Sequence, residues 1–399
     1  MAKRVMFYCQ HVLGMGHLVR STEIVRSLAL DFSVQFVIGG EIPDGFSIPA
    51  NVQTIGLPPL KTDSEFSNLQ SCDSFVDLEQ TKTTRRDLLL RAFDAFQPDV
   101  LVTELFPFGR KQFSFELLPL LERARNSGRP DKTLIVCSLR DILVARKDQQ
   151  EYEERVCKTI NEFYDLILVH ADSSIQRLDE TFLRVRDLRC PVAYTGYVVQ
   201  DKSNLLAFTR PSPRQGDEPT IVVSNGSGQA PSGHLLLESA LRAAFLLRDQ
   251  ISHRFQVFAG PFIPEHAYQR LQTLAGRSRN VTLARYTPSL PAYLEQAELS
   301  ISMAGYNTIM DILSTGVRAL VCPFTGGGDQ EQTVRAEKMA KKGVLGVLSQ
   351  EQLAPDQLAS AILETLCSEA IRIPFDRCGA ANSSRLLREH LGMQMHPQS

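Results

Sequence analysis

The residues best suited to chemistry begin with Gly14-Met15-Gly16-His17, which follows a β-branched run and opens an amphipathic stretch. Glycine permits a tight backbone turn there, and the free N–H groups at the start of the next helix favour an anion. His17 at the tip adds the side chain best able to take a proton near neutral pH. A nucleotide diphosphate or an acceptor fits such a turn, and a plain structural turn is the competing reading. The spacing lacks the third glycine of a dinucleotide fingerprint, and no acid closes the next strand. The run PDVLVTE ends at Glu104, before ELFPFGRK. A carboxylate at that sheet edge would fix the His17 tautomer and stabilise the imidazolium formed in proton transfer. The plainer roles for Glu104 are a pair with Arg110 or a helix cap. Ser138-Leu139-Arg140-Asp141 supplies a further acid and base, with an internal ion pair as the simpler role. His170 and Asp172 rank lower, and His11 reads as a loop or packing residue.

A second set lies in the other half. Ser224-Asn225-Gly226-Ser227-Gly228 is a strand-to-helix turn of small residues and hydroxyls, suited to phosphate oxygens. It lacks the Walker spacing, which argues against kinase or ATPase chemistry. The stretch from Ser302 to Ala336 reads strand, glycine turn, helix, strand, glycine-rich loop, helix. Gly305-Tyr306-Asn307-Thr308 presents another helix N-terminus, and Asp311, about a turn further on, is placed to accept two ribose hydroxyls. Asp329, Gln330, Glu331 and Gln332 then bring together acceptors and amides suited to sugar hydroxyls, although a solvated helix start with N-terminal acids would look the same.

These turns need strands and helices to carry them. Short β-branched runs alternate with longer amphipathic stretches, the pattern of strand-helix units around parallel sheets. Strands are expected at 4–9, 34–38, 99–104, 133–138, 166–170 and 192–195. After an interruption they resume at 220–224, 255–259, 281–284, 299–303, 319–323 and 345–348. The interruption, 201–219, collects Pro211, Pro213, Gly216 and Pro219 and reads as a linker. A chain of 399 residues is too long for one core of usual size. The expected division is an N-terminal domain over 1–200, the linker over 201–219, a C-terminal domain over 220–370, and a final segment, 371–399, whose helix crosses back to the first domain. Ligands of open parallel sheets bind beyond the carboxyl ends of strands, so two such domains would form a site where they face each other.

Composition narrows the partners. A formal net charge of -2 gives no general attraction for nucleic-acid phosphates. The 8 Cys show no CxxC pair and the 8 His no ligand spacing, so neither a disulfide framework nor a metal site is expected. The apolar run Val5–Cys9 is too short for a signal core and no later segment approaches a bilayer span, which points to the cytoplasm.

The stretch from Ser302 to Ala336 resembles the nucleotide-sugar-binding half of family 28 glycosyltransferases of the GT-B fold, two doubly wound Rossmann-like α/β domains facing across a cleft. The member of that family that adds N-acetylglucosamine to the lipid-linked peptidoglycan precursor has similar features in order. They look like Gly14 to His17, Ser224 to Gly228, Gly305 to Asp311, and Glu331-Gln332 before Arg335-Ala336. The resemblance implies that Asp311 holds the ribose, Ser227 and neighbouring amides the diphosphate, and Glu331 and Gln332 the donor sugar. It also implies that Tyr286 and Thr287 border the base. Gly16, Ser224, Asn225, Gly226, Gly228, Gly305, Asn307 and Thr308 complete the donor set. Glu331 stands where the family shows a second Gln, and Arg335 where Asn precedes Ala, so the donor sugar does not carry over. ELFPFGRK and SLRDIL are unlike the peptidoglycan enzyme and resemble instead a group of predicted bacterial glycosyltransferases, so the acceptor does not carry over either.

The expected activity is inverting, metal-independent transfer of a sugar from a UDP-linked donor to a hydroxyl acceptor, small or lipid-linked. His17 is the base, Glu104 its partner, and no cofactor enters beyond the nucleotide-sugar co-substrate. Three other readings remain open. GMGHLVRS also resembles the GxGHxxR turn of nucleotide-sugar hydrolases of the same fold. A nonenzymatic nucleotide-sugar sensor would keep only the donor half. The stretch 83–96, with Arg85, Arg86 and Arg91 beside apolar residues at helical spacing, would suit contact with an anionic membrane, core packing being the plainer role.

Overall fold

The structure, a computed structural model, describes residues 2–11, 16–42, 46–62, 69–72, 76–128, 132–200, 218–228, 231–324 and 330–393. Gly14, Met15, nearly all of the 201–219 stretch and Asp329 lie outside the described residues. The chain divides into two compact units. One holds β1 and His17–Val199 together with the residues from Phe375 onward; the other holds Gln200–Pro374.

The first unit runs β1 (Arg4–Cys9), α1 (Gly16–Leu28), β2 (Ser33–Ile38), β3 (Gln53–Gly56), β4 (Leu60–Thr62), β5 (Leu69–Ser71), α2 (Leu78–Phe96) and β6 (Val100–Glu104). It continues with α3 (Ser114–Arg125), β7 (Leu134–Arg140), α4 (Gln149–Phe163), β8 (Leu166–His170) and β9 (Val192–Tyr194). Seven strands form a parallel sheet in the order β3-β2-β1-β6-β7-β8-β9. The strands at its centre are continuous apolar runs: VMFYC in β1, VLVTE in β6 and LILVH in β8 are buried throughout. That is the signature of a sheet covered on both faces. Asp77 starts α2 by accepting the N–H groups of Glu79 and Gln80.

The second unit comprises β10 (Thr220–Ser224), α5 (Pro231–Leu247), β11 (Arg254–Phe258), α6 (Glu265–Ala275), β12 (Val281–Ala284), α7 (Leu290–Leu294), β13 (Ala297–Met303), α8 (Tyr306–Thr315), β14 (Arg318–Cys322), α9 (Glu331–Lys341), β15 (Gly346–Val347) and α10 (Pro355–Cys367). Its parallel sheet has the order β12-β11-β10-β13-β14-β15, with a separate core between the strands and α5, α6 and α10. In both sheets the first strand has its sequence neighbours on one side and later strands on the other. The order therefore reverses beside β1 and β10, where open α/β sheets bind ligands at the carboxyl edge.

The last helix, α11 (Gly379–His390), belongs to the first unit. Leu387 packs with Val5, Phe7, Val34 and Val100, Ser384 Oγ donates to Asp31 (2.6 Å), and Asn382 Nδ2 donates to the Thr195 carbonyl (2.8 Å). Asp172 accepts the backbone N–H of Asp376 (2.8 Å), so it serves as an anchor for this segment rather than as an acid.

Three expectations need correction. β3 and the β4–β5 hairpin were not foreseen, because QTIG is polar and largely exposed and the hairpin strands are three residues long. The final strand shrinks from 345–348 to two residues, since the flanking Leu345 and Leu348 side chains are buried in connecting segments. Arg85 does not face a membrane: it is fully buried against Glu116. Leu387→Ala is expected to lower the stability of the first unit by about 2–4 kcal/mol, by loss of burial plus a cavity. Calorimetry would show its transition moving down while that of the second unit stays in place.

Candidate functional site

In the first unit the turn after β1 and the end of β6 lie side by side, because β1 pairs with β6 over Val5–Tyr8. His17 occupies the first turn of α1 and Arg20 the next. Both reach Glu104: His17 Nδ1 lies 2.6 Å from Glu104 Oε1, and Arg20 Nη2 donates to the same oxygen at 2.6 Å. Arg20 Nη2 also comes within 3.2 Å of His17 Nδ1. Those two contacts compete for one ring nitrogen. The shorter contact, to the carboxylate, decides the tautomer: Nδ1 carries the proton and Nε2 keeps its lone pair. Glu104 is 0% exposed and Arg20 2%, while His17 keeps 16%. The histidine is thus the member of the group that a substrate can reach.

The charges set the protonation. Burial pushes His17 down to about 4; Glu104 pulls the other way, and Arg110 and Arg20 add to the fall. The ring is neutral at pH 7 and ready to accept a proton. Burial alone would raise Glu104, but His17, Arg20 and Arg110 hold it well below the usual carboxylate range. A buried carboxylate held on Nδ1 of a neutral imidazole, which leaves Nε2 as the basic nitrogen, is the arrangement of a general base and its orienting partner. Arg20 is the member that the motif reading did not assign. Its signal was present, since HLVR puts an arginine one helical turn after the histidine.

The other candidates here are structural. His170, at the end of β8, is buried between Ser138 Oγ (2.7 Å) and Thr195 Oγ1 (2.9 Å), and burial pushes it down to about 3. His11 is buried and bonded to the Glu41 carbonyl (2.7 Å). Asp141 accepts its neighbour's amide, Ile142 N (2.9 Å).

In the second unit the turn after β10 is built by backbone contact. Gly226 (φ 61°) and Gly228 (φ 87°) are left-handed. A Cβ on Gly260 would come 2.3 Å from Gly228 N, so the segments following β10 and β11 touch main chain to main chain. Ser224 Oγ accepts the Gly226 N–H (3.3 Å), and Asn225 Nδ2 donates to the Ala259 carbonyl (3.4 Å). Ser224 and Asn225 are buried and shape the turn, Gly226 is exposed and Ser227 half-buried. Gly305 caps α8 after the neighbouring strand β13, with Asn307 half-buried and Thr308 and Asp311 on the buried face of that helix. On α9, Glu331 is paired with Arg335 (2.6 Å), whose guanidinium also lies 5.4 Å from the Tyr306 ring centroid. Gln332 Oε1 accepts the Phe324 N–H (3.1 Å) and so fixes the segment after β14. Tyr286 and Thr287 follow β12; Tyr286 is half-buried, its phenol pushed up to about 12 by burial, and Thr287 Oγ1 accepts Ser289 N (3.1 Å). Adjacent strand ends thereby bring Gly226, Ser227, Gly305, Asn307, Glu331 and Gln332 to one edge of this sheet.

The sequence profile of the glycosyltransferase family 28 C-terminal domain matches residues 220–384. The likeness to glycosyltransferase family 28 lies in this region, which is less than half of the chain. A UDP-N-acetylglucosamine–N-acetylmuramyl-(pentapeptide) pyrophosphoryl-undecaprenol N-acetylglucosamine transferase of Syntrophotalea carbinolica is 28% identical over 156 residues, covering 39% of this chain and 42% of that protein. The Pasteurella multocida enzyme of the same name is 23% identical over 221 residues, covering 52% and 59%. The chain thus spans about half the length of these curated relatives. Solved structures match across nearly the whole chain. The glycotransferase of kitacinnamycin has a TM-score of 0.61 at 16% identity, covering 98% of this chain and 100% of that one. MurG of Acinetobacter baumannii has a TM-score of 0.57 at 15% identity, covering 97% and 99%. At such identities the likeness establishes the fold, which is GT-B. Among the described residues no helix is long and apolar enough to cross a membrane.

The protonation states give a stability prediction. Glu104 lies below its ordinary 4.5 and contributes stability that is present above that value and lost as pH falls. His17 lies below its ordinary 6.5, so the fold loses stability as pH falls from 6.5 through about 4. Thermal denaturation of the first unit is expected to show a melting temperature that is level from pH 8 to 7 and drops below 6.5. Glu104→Gln should cost about 3–5 kcal/mol by leaving Arg20 buried without its counter-charge, and should weaken the acid dependence.

Proposed function

We propose that the chain is a glycosyltransferase that moves a sugar from a UDP-linked donor to an acceptor hydroxyl with inversion and without a metal ion. The observation that carries this reading is the buried Glu104 carboxylate, which holds Nδ1 of a neutral, reachable His17 at 2.6 Å in a chain whose residues 220–384 match the family 28 C-terminal domain. The relatives' printed names supply the donor class, a UDP-linked N-acetylhexosamine, and the kind of acceptor, a lipid-linked pyrophosphate.

In this reading His17 Nε2 takes the proton of the acceptor hydroxyl as its oxygen attacks the anomeric carbon. The bond from that carbon to the diphosphate oxygen breaks, and the diphosphate leaves with the electron pair. Glu104 stabilises the imidazolium, and Arg20 keeps Glu104 ionised. In the second unit, backbone amides at Gly226–Gly228 and the N-terminus of α8 receive the diphosphate. Asp311 takes the ribose, Tyr286 and Thr287 border the base, and Glu331 with Gln332 meets the sugar. The i,i+4 pair with Arg335 presents Glu331 as a carboxylate in a set orientation.

Hydrolysis is the second reading, favoured by Arg20, whose contact with Glu104 gives the GxGHxxR spacing a role. Incubation with a panel of UDP-, dTDP- and GDP-sugars without acceptor separates the two. Transfer is expected to show slow donor breakdown and tight nucleotide diphosphate binding, weakened at least tenfold in Asp311→Asn. Rapid release of free sugar, abolished in His17→Ala, would establish hydrolysis instead. Once an acceptor is found, His17→Ala should lower kcat by about 10²–10⁴-fold with donor binding retained. The profile of kcat/KM should stay level from pH 8 to 5.5 and fall only near 4, where His17 gains its proton.

A further inference from the structure

Two arginines of the first unit, Arg85 buried and Arg110 half-buried, are served very differently. Arg85 uses every N–H it has: Nε and Nη2 donate to Glu116 (2.9 and 2.6 Å), Nη2 also to Gln10 (2.6 Å), and Nη1 to the carbonyls of Gly39 (2.9 Å) and Pro58 (2.7 Å). Arg110 has Nε and Nη2 closed off from solvent with no hydrogen-bond partner. Those two nitrogens form one edge of the guanidinium, the fork that matches two oxygens of a carboxylate or a phosphate. Guanidinium nitrogens shut off from water without a hydrogen-bond partner are unfavourable, so the fold holds them there against their own preference.

The segment that carries Arg110 is fixed independently of its side chain. Leu105 (φ 65°) and Arg110 (φ 61°) both occupy the left-handed region, which disfavours residues with a Cβ. Gly109 N donates to the Leu105 carbonyl (2.8 Å), and the hydroxyls of Tyr152 and Tyr164 hold the carbonyls of Phe108 (2.8 Å) and Phe106 (3.0 Å). The arginine is thus delivered beside Glu104 at the sheet edge that presents His17. The nearby carboxylates have other duties. Glu104 Oε1 is taken by His17 and Arg20 while its Oε2 has no hydrogen-bond partner, Glu116 is taken by Arg85 and Tyr8, and Asp141 receives the Ile142 amide. Burial pushes Arg110 below its ordinary value, Glu104 opposing and the Arg140 guanidinium reinforcing the fall.

We propose that the Arg110 fork binds a phosphate or carboxylate oxygen pair on the acceptor, placing the acceptor hydroxyl for His17. This rests on the transfer reading for the word acceptor; the anion site itself does not. Arg110 lies in ELFPFGRK, so the anion would be gripped by a side chain from a segment unlike that of the peptidoglycan enzyme.

The test uses the full chain with saturating UDP, so that diphosphate subsites in the second unit are filled, and titrates methyl phosphate and, separately, acetate by calorimetry and by the His17 ring resonance. Wild type is expected to bind at least one of them, the tighter of the two naming the anion. Arg110→Met should weaken that binding at least tenfold, with Arg110→Lys between, since an ammonium keeps the charge and loses the fork. Equal affinities in wild type and Arg110→Met, or no binding by wild type because the fork closes on Glu104 Oε2, would overturn the proposal. If UDP itself fails to bind while methyl phosphate binding still depends on Arg110, the donor reading falls and the anion site stands.

Discussion

The first unit is organised around one constraint: the carboxylate of Glu104 is removed from water at the end of a central strand. An ionised group there must be hydrogen-bonded or it becomes prohibitively unfavourable. His17 and Arg20 meet that requirement through a single oxygen, and both come from α1. The rotation of α1 about its axis and the pairing of β1 with β6 are therefore tied to the electrostatics of one side chain. The same burial that makes the pair necessary keeps His17 neutral, because an imidazolium would be a further charge in a poorly solvated place beside guanidiniums.

The two units share a strand order and differ in what they place at the carboxyl edge. The first gathers titratable side chains, His17, Glu104, Arg20 and Arg110, whose charges shift one another. The second gathers main-chain amides, small residues and amide side chains, with Glu331 neutralised by Arg335. The close approach of Gly228 and Gly260 leaves no room for a side chain, since any Cβ there would push the segments after β10 and β11 apart.

Much of this was legible in the sequence, and the reasons differ by element. The strands of both sheets stand out because a parallel sheet buries both faces and favours near-continuous runs of apolar and β-branched residues, as in VMFYC and TIVVS. The turns at His17 and Ser227 stand out because a strand-to-helix turn at a carboxyl edge selects glycine and small residues. β3 was not legible, since an edge strand with one partner and an exposed face carries no apolar run. Arg85 lay in a stretch whose plainer role was core packing, and its burial agrees with that; the sequence did not show its partners, Glu116 from α3 and Gln10 from the end of β1, which only the fold brings to it.

By itself the sequence determined the doubly wound α/β class, the position of the two functional edges, and the residue types available at each, because these follow from local periodicity and backbone chemistry. The tertiary structure alone decided which charges meet. Glu104 had Arg110 as its nearest cationic candidate along the chain, yet its partners are His17 and Arg20, more than eighty positions away. Coulombic and hydrogen-bond energies fall off over a few ångströms of space, and the distance along the chain carries no record of that separation until the parallel sheet has placed β1 against β6.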